Sequence, residues 1–214
     1  MLKHLPELLR ALAATYPVAR TALVYRSPFE LLVATMLSAQ TTDKQVNRVT
    51  PVLFAHYPTP EALAKADPAE VAADIAGVGL HHTKARHLVA AARVIVDSFA
   101  GRVPERLEDL LTLPGVGRKT AKVVLANAFN TPALAVDTHV FRLAHRLGLS
   151  TGRTPREVET DLEALIPPSL WIATHHRLIE HGRRICRARR PRCSECCLAS
   201  HCRYRQEAGE PSFD

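Results

Sequence analysis

Apolar residues recur at helical spacing through most of the chain. Leu88, Ala91, Ala92, Ile95 and Val96 fall along one stripe, and Val123, Val124, Leu125 and Ala128 along another. Several helix starts are also legible. A Ser, Thr or Asp cap precedes Pro at the first helical position, with Glu two residues further on. Ser27-Pro28-Phe29-Glu30, Asp67-Pro68-Ala69-Glu70 and Thr154-Pro155-Arg156-Glu157 carry this capping-box signature, and Thr59-Pro60-Glu61 a shorter form. The pattern predicts helices over about 4–15, 28–38, 44–56, 60–66, 68–76, 83–99, 105–112, 118–129, 138–147, 155–165 and 169–184. No stretch combines alternating strands with hairpin turns, so the expected fold class is all-α. Residues 185–214 are expected to be irregular. They are too rich in Cys, Arg and Pro for regular structure and need something other than an apolar core to hold them. There is no low-complexity linker, so any domain boundary is a packing boundary, and Asn130-Thr131-Pro132 is a candidate.

Composition narrows the class. The chain has 214 residues, 47 % hydrophobic and 23 % charged, values that exclude disorder as the main state. No apolar run approaches the roughly 20 residues that span a bilayer. The N-terminus meets Glu7 before any long apolar stretch and does not read as a signal peptide, so a cytoplasmic protein with no membrane partner is expected. The net charge of +7 is a local feature. Between Arg183 and Arg205 there are eight arginines and one acid, Glu195, and the rest of the chain balances. All five cysteines lie in the same stretch. A polyanionic partner and a merely solvated basic tail both fit the charge alone.

The cysteines are spaced Cys186-x6-Cys193-x2-Cys196-x5-Cys202, with Cys197 left over. Four soft thiolates this close suit zinc or an iron–sulfur cluster, and the spacing leaves both open. Disulfides fit poorly, because every cysteine sits in one terminal loop of a chain expected in a reducing compartment. Cys197 is expected to be a small buried apolar residue.

Leu113-Pro114-Gly115-Val116-Gly117-Arg118-Lys119-Thr120-Ala121 lies between two predicted helices. Two glycines flanking an apolar residue make a tight turn whose backbone can approach another molecule. The turn leads into a helix N-terminus, which favours a phosphate, although simple chain reversal explains the glycines equally well. The motif lacks the spacing of a nucleotide-hydrolysing phosphate loop. Lys119 falls in the first turn beside Arg118, where both positive influences disfavour an ammonium; a nucleophilic amine would need that and a phosphate-binding lysine would not, yet taken alone Lys119 reads first as a surface or phosphate-contacting lysine. Ala135-Val136-Asp137-Thr138-His139-Val140 places Asp137 at the start of a helix, where capping alone would explain it. His139 reads as packed or capping. Leu37-Ser38-Ala39-Gln40-Thr41-Thr42-Asp43 reads as a loop with an Asp cap, and Gly77-Val78-Gly79-Leu80-His81-His82-Thr83-Lys84 as a plain turn. Trp171 is expected in the core, and His175, His176 and His181 on a solvated face.

Taken together, LSAQTTD at 37–43, LPGVGRKTA at 113–121 with VDTHVFR at 136–142, and the four-cysteine loop resemble the endonuclease III family of bifunctional DNA glycosylases, within the helix-hairpin-helix superfamily. The resemblance runs from about Pro28 to Arg203. It implies a [4Fe–4S] cluster in preference to zinc, on Cys186, Cys193, Cys196 and Cys202. It implies a six-helix domain over 21–131 and a cluster domain from 1–20 and 132–214, with DNA in the cleft between them. It also implies Lys119 as nucleophile and Asp137 as the essential carboxylate. Gln40 and Leu80 match the residues that fill the gap left by a flipped base, and Gly115, Val116, Gly117, Arg118 and Lys119 the hairpin that holds the backbone. The implied substrate is duplex DNA with oxidised or ring-fragmented pyrimidines or abasic sites, handled by a monomer. The alternatives are a monofunctional glycosylase of the same superfamily, against which Lys119 speaks, and a non-catalytic DNA-binding protein.

Overall fold

The structure, a computed structural model, describes residues 4–207. Among the described residues the secondary structure is entirely helical, in twelve α-helices and three short 3₁₀ turns. In order the helices are α1 (Leu5–Thr15), α2 (Pro28–Leu37), α3 (Asp43–His56), α4 (Pro60–Ala64), α5 (Pro68–Asp74) and α6 (His81–Phe99). They continue with α7 (Leu107–Leu110), α8 (Arg118–Ala128), α9 (Thr138–Arg146), α10 (Pro155–Leu165), α11 (Trp171–Arg184) and α12 (Arg203–Glu207). The chain forms two compact units. One is Ala22–Thr131; the other joins Met1–Thr21 to Pro132–Asp214. Within the second, residues 1–3 and 208–214, which the sequence assigns to the cluster domain, lie outside the described residues.

The first unit is built around α2, whose residues from Phe29 to Leu37 are buried except Glu30. A helix apolar on every side belongs at the centre of a bundle, and α2 packs on α8 while also contacting α3 and α6. Leu53, Leu63, Ile75, Leu88, Ile95, Leu110 and Leu113 complete that core. The helix starts follow the expected chemistry with local variations. Ser27 accepts the Glu30 N–H at 3.2 Å, but the Glu30 carboxylate accepts from Arg26 N–H at 2.6 Å rather than closing the box. Asp67 accepts from Ala69 N–H at 2.8 Å. Thr42, not Asp43, caps α3 by accepting from Gln45 N–H at 3.3 Å. Asp43 then occupies the first helical position, where the helix dipole favours a carboxylate. The helices predicted over 60–66 and 105–112 are shorter, Pro60–Ala64 and Leu107–Leu110.

The second unit packs α11 against α1 and α9 over a core of Leu8, Leu12, Val140, Leu143, Val158, Leu162, Leu178 and Leu198. Its capping box at Thr154 and Glu157 is complete in both directions. Here the structure corrects the reading of α11. His175, His176 and His181 are buried, and Trp171 is only half-buried, with its Nε1–H donating to Ile166 O at 2.7 Å. Neighbours on two sides leave α11 a narrow outer face. Two of the imidazoles are accommodated as neutral rings: burial pushes the pKa values of His176 and His181 down to about 4. His175 Nδ1–H donates to Ala135 O at 2.8 Å. Residues 185–207 are not wholly irregular either, since they contain two 3₁₀ turns and α12.

Candidate nucleic-acid interface and thiol site

The glycine motif forms a hairpin between α7 and α8. Leu110, Leu113 and Val116 point into the core, and Val116 N–H closes the turn on Leu113 O at 3.0 Å. Gly115 has φ +78°, and a Cβ there would come within 2.8–2.9 Å of the His87 side chain. Only glycine meets both demands. Gly117, at the N-cap of α8, differs: its φ of −91° suits any residue, and a Cβ would meet nothing within 4 Å. Its bareness leaves open space in front of the helix. No side chain caps α8, and its first turn holds no acid but two cations, Arg118 and Lys119. The first N–H groups of such a helix, with its positive dipole end, suit an anion. Gly115, Gly117 and Lys119 are exposed; of the hairpin residues predicted to hold DNA, Val116 alone is buried.

Asp137 follows four buried apolar residues, 133–136, that fix the approach to α9. Its Oδ1 accepts from both His139 N–H at 2.9 Å and Val140 N–H at 2.8 Å. Its Oδ2 makes no hydrogen bond to a described residue. Capping therefore occupies one oxygen, and the cap fixes the orientation of the other. His139 is half-buried, burial lowers its pKa, and its Nδ1 accepts from Arg142 at 3.1 Å, as expected of a packed neutral ring. Lys119 and Asp137 lie on different units.

Gln40 and Leu80 share an unusual backbone. Their φ values are +55° and +59°, in the left-handed region, where non-glycine residues are strained. Leu80 is 67 % exposed, an apolar side chain held in water on a strained turn, and Gln40 is also exposed. The rings of His81 and His82 follow it 4.3 Å apart. Lys84, read from sequence as part of a plain turn, is buried between the two loops. No local signal marks it, because its acceptors lie more than forty residues away.

Cys186, Cys193, Cys196 and Cys202 line a single small hollow, together with Arg146, Ile185, Pro191, Arg192 and Tyr204. Cys197 is not on it; half-buried, it packs against the apolar core of the unit. None of the five cysteines is in a disulfide. Among the described residues no three His, Cys, Asp or Glu side chains converge as one metal ion would require. Four thiols around a shared hollow are a donor set that suits a metal group. Burial pushes the Cys196 thiol up to about 11, and the neighbouring Cys197, Cys186 and Cys202 push the same way.

Second-layer contacts hold the hollow. Arg146 donates to Cys186 Sγ at 3.3 Å, Arg187 O at 2.7 Å and Ala188 O at 3.1 Å, and lies over the Tyr204 ring. One turn earlier, Arg142 donates to Cys186 O at 3.1 Å. His181 spans Tyr16 Oη at 3.0 Å and Cys196 Sγ at 3.4 Å. Sequence reasoning passes over Arg142 and Arg146, although their spacing of four on a helix is a usable signal. Arg187, Arg189 and Arg190 are exposed and pair with no carboxylate of a described residue.

The model of the HhH-GPD superfamily of base excision DNA repair proteins matches residues 33–168. An endonuclease III of Synechocystis sp. is 50 % identical over 197 residues, 92 % of this chain and 90 % of that protein. The solved structure of a trapped endonuclease III–DNA covalent intermediate, in an estranged-adenine complex, is 42 % identical with a TM-score of 0.93, covering 97 % of this chain and 98 % of its own. A thermostable thymine-DNA glycosylase is 27 % identical with a TM-score of 0.86, over 94 % of this chain and 96 % of its own.

Proposed function

We propose, from the premise that the chain belongs to the endonuclease III family of the HhH-GPD superfamily of base excision DNA repair proteins, that it releases oxidised pyrimidines from duplex DNA and then cleaves the abasic strand. The observation that carries this reading is Asp137, one oxygen fixed by two backbone N–H groups and the other left for chemistry. A damaged nucleotide leaves the base stack, at a cost of a few kcal/mol that is smallest for a poorly stacked lesion. Gln40 and Leu80 fill the space it vacates. The N–H groups of the hairpin 115–119 hold a backbone phosphate and fix the register. Lys119 enters as the uncharged amine, its proton taken up with the help of Asp137. Its nitrogen bonds to C1′ as the C1′–N bond to the base breaks, and the base leaves with the bonding pair and gains a proton. Asp137 stabilises the positive charge that develops on the sugar. Ring opening then gives a Schiff base between Lys119 and C1′. Loss of a proton from C2′ expels the 3′ phosphate by β-elimination, and water frees the lysine.

The thiols of Cys186, Cys193, Cys196 and Cys202 would hold a [4Fe–4S] cluster, in the unit that both ends of the chain build. When bound it supplies the cross-link that folds the arginine loop. Arg187, Arg189 and Arg190 then add salt-dependent affinity for duplex DNA. Among the described residues no helix is long and apolar enough to cross a membrane. A chromosome-repair role fits the cytoplasm, with association with the nucleoid if the cell is bacterial.

Borohydride reduction on a duplex carrying an oxidised thymine tests the reading. The wild-type protein should give a covalent adduct that Lys119→Ala abolishes, and Asp137→Asn should slow base release by ~10²–10⁴-fold. Base release without an adduct would instead mark a monofunctional glycosylase. Binding without bond cleavage would mark a non-catalytic DNA-binding protein.

A further inference from the structure

Lys84 is only 9 % exposed, yet no carboxylate pairs with it. Its ammonium has three N–H donors and meets three acceptors: Leu37 O at 2.8 Å, Ala39 O at 2.6 Å and Thr41 Oγ1 at 3.2 Å. Ala39 and Thr41 flank Gln40. Through its backbone, Lys84 N–H donates to Leu80 O at 3.0 Å. One residue thus binds both sides of the first left-handed position and the carbonyl of the second. Leu37 ends α2, so its carbonyl belongs to the negative end of that helix, which favours a cation. Burying a charge against dipoles alone is nevertheless costly, and burial pulls the pKa of this ammonium down. An apolar side chain of similar length would fill the same volume without that cost. What it would lack is the set of hydrogen bonds to the strained loop.

We propose that Lys84 is a positioning residue: a buried strut that fixes the shape and separation of the Gln40 and Leu80 loops so that both enter the duplex together. The proposal rests on reading Gln40 and Leu80 as the residues that fill the gap. Its effect falls on opening the helix, before any bond is broken, so Lys84 touches neither substrate nor reacting atoms.

The test uses a duplex with 2-aminopurine opposite an oxidised thymine, whose fluorescence rises when the purine unstacks. At saturating protein, Lys84→Met should keep its helical circular dichroism yet lose most of the fluorescence rise, with base release about tenfold slower. Lys84→Arg, which retains charge and reach, should recover most of both. Thr41→Val removes one acceptor and should give the same change in smaller size. Gln40→Ala and Leu80→Ala are measured in parallel. If neither lowers the fluorescence rise, the gap-filling reading itself fails and the proposal falls with it. If they do while folded Lys84→Met behaves as wild type, the strut alone is overturned. An unfolded Lys84→Met beside an unchanged Thr41→Val also overturns it.

Discussion

The hairpin of residues 111–119 and the loop of residues 185–207 both present cations to solvent, but they hold their shape by different means. The hairpin is anchored in an apolar core through Leu113 and Val116, with Leu110 of the preceding helix beneath it, and its one strained position is a glycine. In the loop only Leu198 is buried among the described residues. Arg142 and Arg146 grip its carbonyls, and four thiols surround a hollow. Hydrophobic burial is non-directional and comes with the fold, so the hairpin needs nothing beyond the chain itself. A loop with so little apolar surface offsets little of its ordering entropy by burial, and the proposed cluster would supply the remainder. Two anion-facing surfaces on one chain therefore differ in whether they can be switched off without unfolding the rest.

The largest expected effect breaks that contrast most directly. Cys196→Ser should remove the brown colour that the proposed cluster would give, open residues 185–207 to protease and weaken DNA binding, while Ala22–Thr131 keeps its helical signal. Neutralising two of Arg187, Arg189 and Arg190 in the intact protein should lower the salt slope of DNA binding by about 0.9 for each phosphate that is no longer neutralised. If Cys196→Ser is colourless yet retains both protease resistance and the full slope, the loop is as self-sufficient as the hairpin and the contrast fails.

Acid should separate the two units next. The folded pKa of His176, about 4, lies below the value of about 6.5 of the unfolded chain. The unfolded state therefore binds the proton first as pH falls. The stabilisation is fully present above about pH 6.5 and is lost progressively down to about pH 4, on the order of 3 kcal/mol from this one ring. His176→Gln should flatten that part of the stability–pH curve, measured by urea unfolding. An unchanged curve would show that His176 takes up no extra proton on unfolding.

How much of this is legible in the sequence depends on the range over which each signal acts. The all-helical class and the caps at Ser27, Thr59 and Thr154 are local chemistry, and they read correctly. Asp137 is legible as a cap, and its second oxygen is what capping leaves over. The cysteine spacing suits a metal group, but that the four thiols share one hollow while Cys197 lies off it becomes visible only in three dimensions. His175, His176 and His181 are misjudged from sequence because a histidine's burial is decided by the neighbouring helices, α1 and α9, and not by its own. Lys84 escapes notice for the same reason: Leu37, Ala39 and Thr41 are distant in sequence, and a lysine carries no mark of where its acceptors will be.

The smallest expected effect sharpens the hairpin side of the comparison, because its two glycines serve different ends. Gly115→Ala forces a side chain into the left-handed region and against His87, and should cost about 1–2 kcal/mol of stability in thermal unfolding. Gly117→Ala has permissive φ and open space. The poorer cap costs about 0.5–1 kcal/mol, and the lost freedom of the unfolded chain offsets a similar amount, so stability should barely move. The new methyl group nevertheless stands where a phosphate would approach, and removing one charge-assisted hydrogen bond should weaken DNA binding by about tenfold. If Gly117→Ala binds DNA as wild type does, the open space before α8 is not where the backbone lies. The hairpin would then be a chain reversal only, leaving the arginine loop as the remaining anion-facing surface of the two.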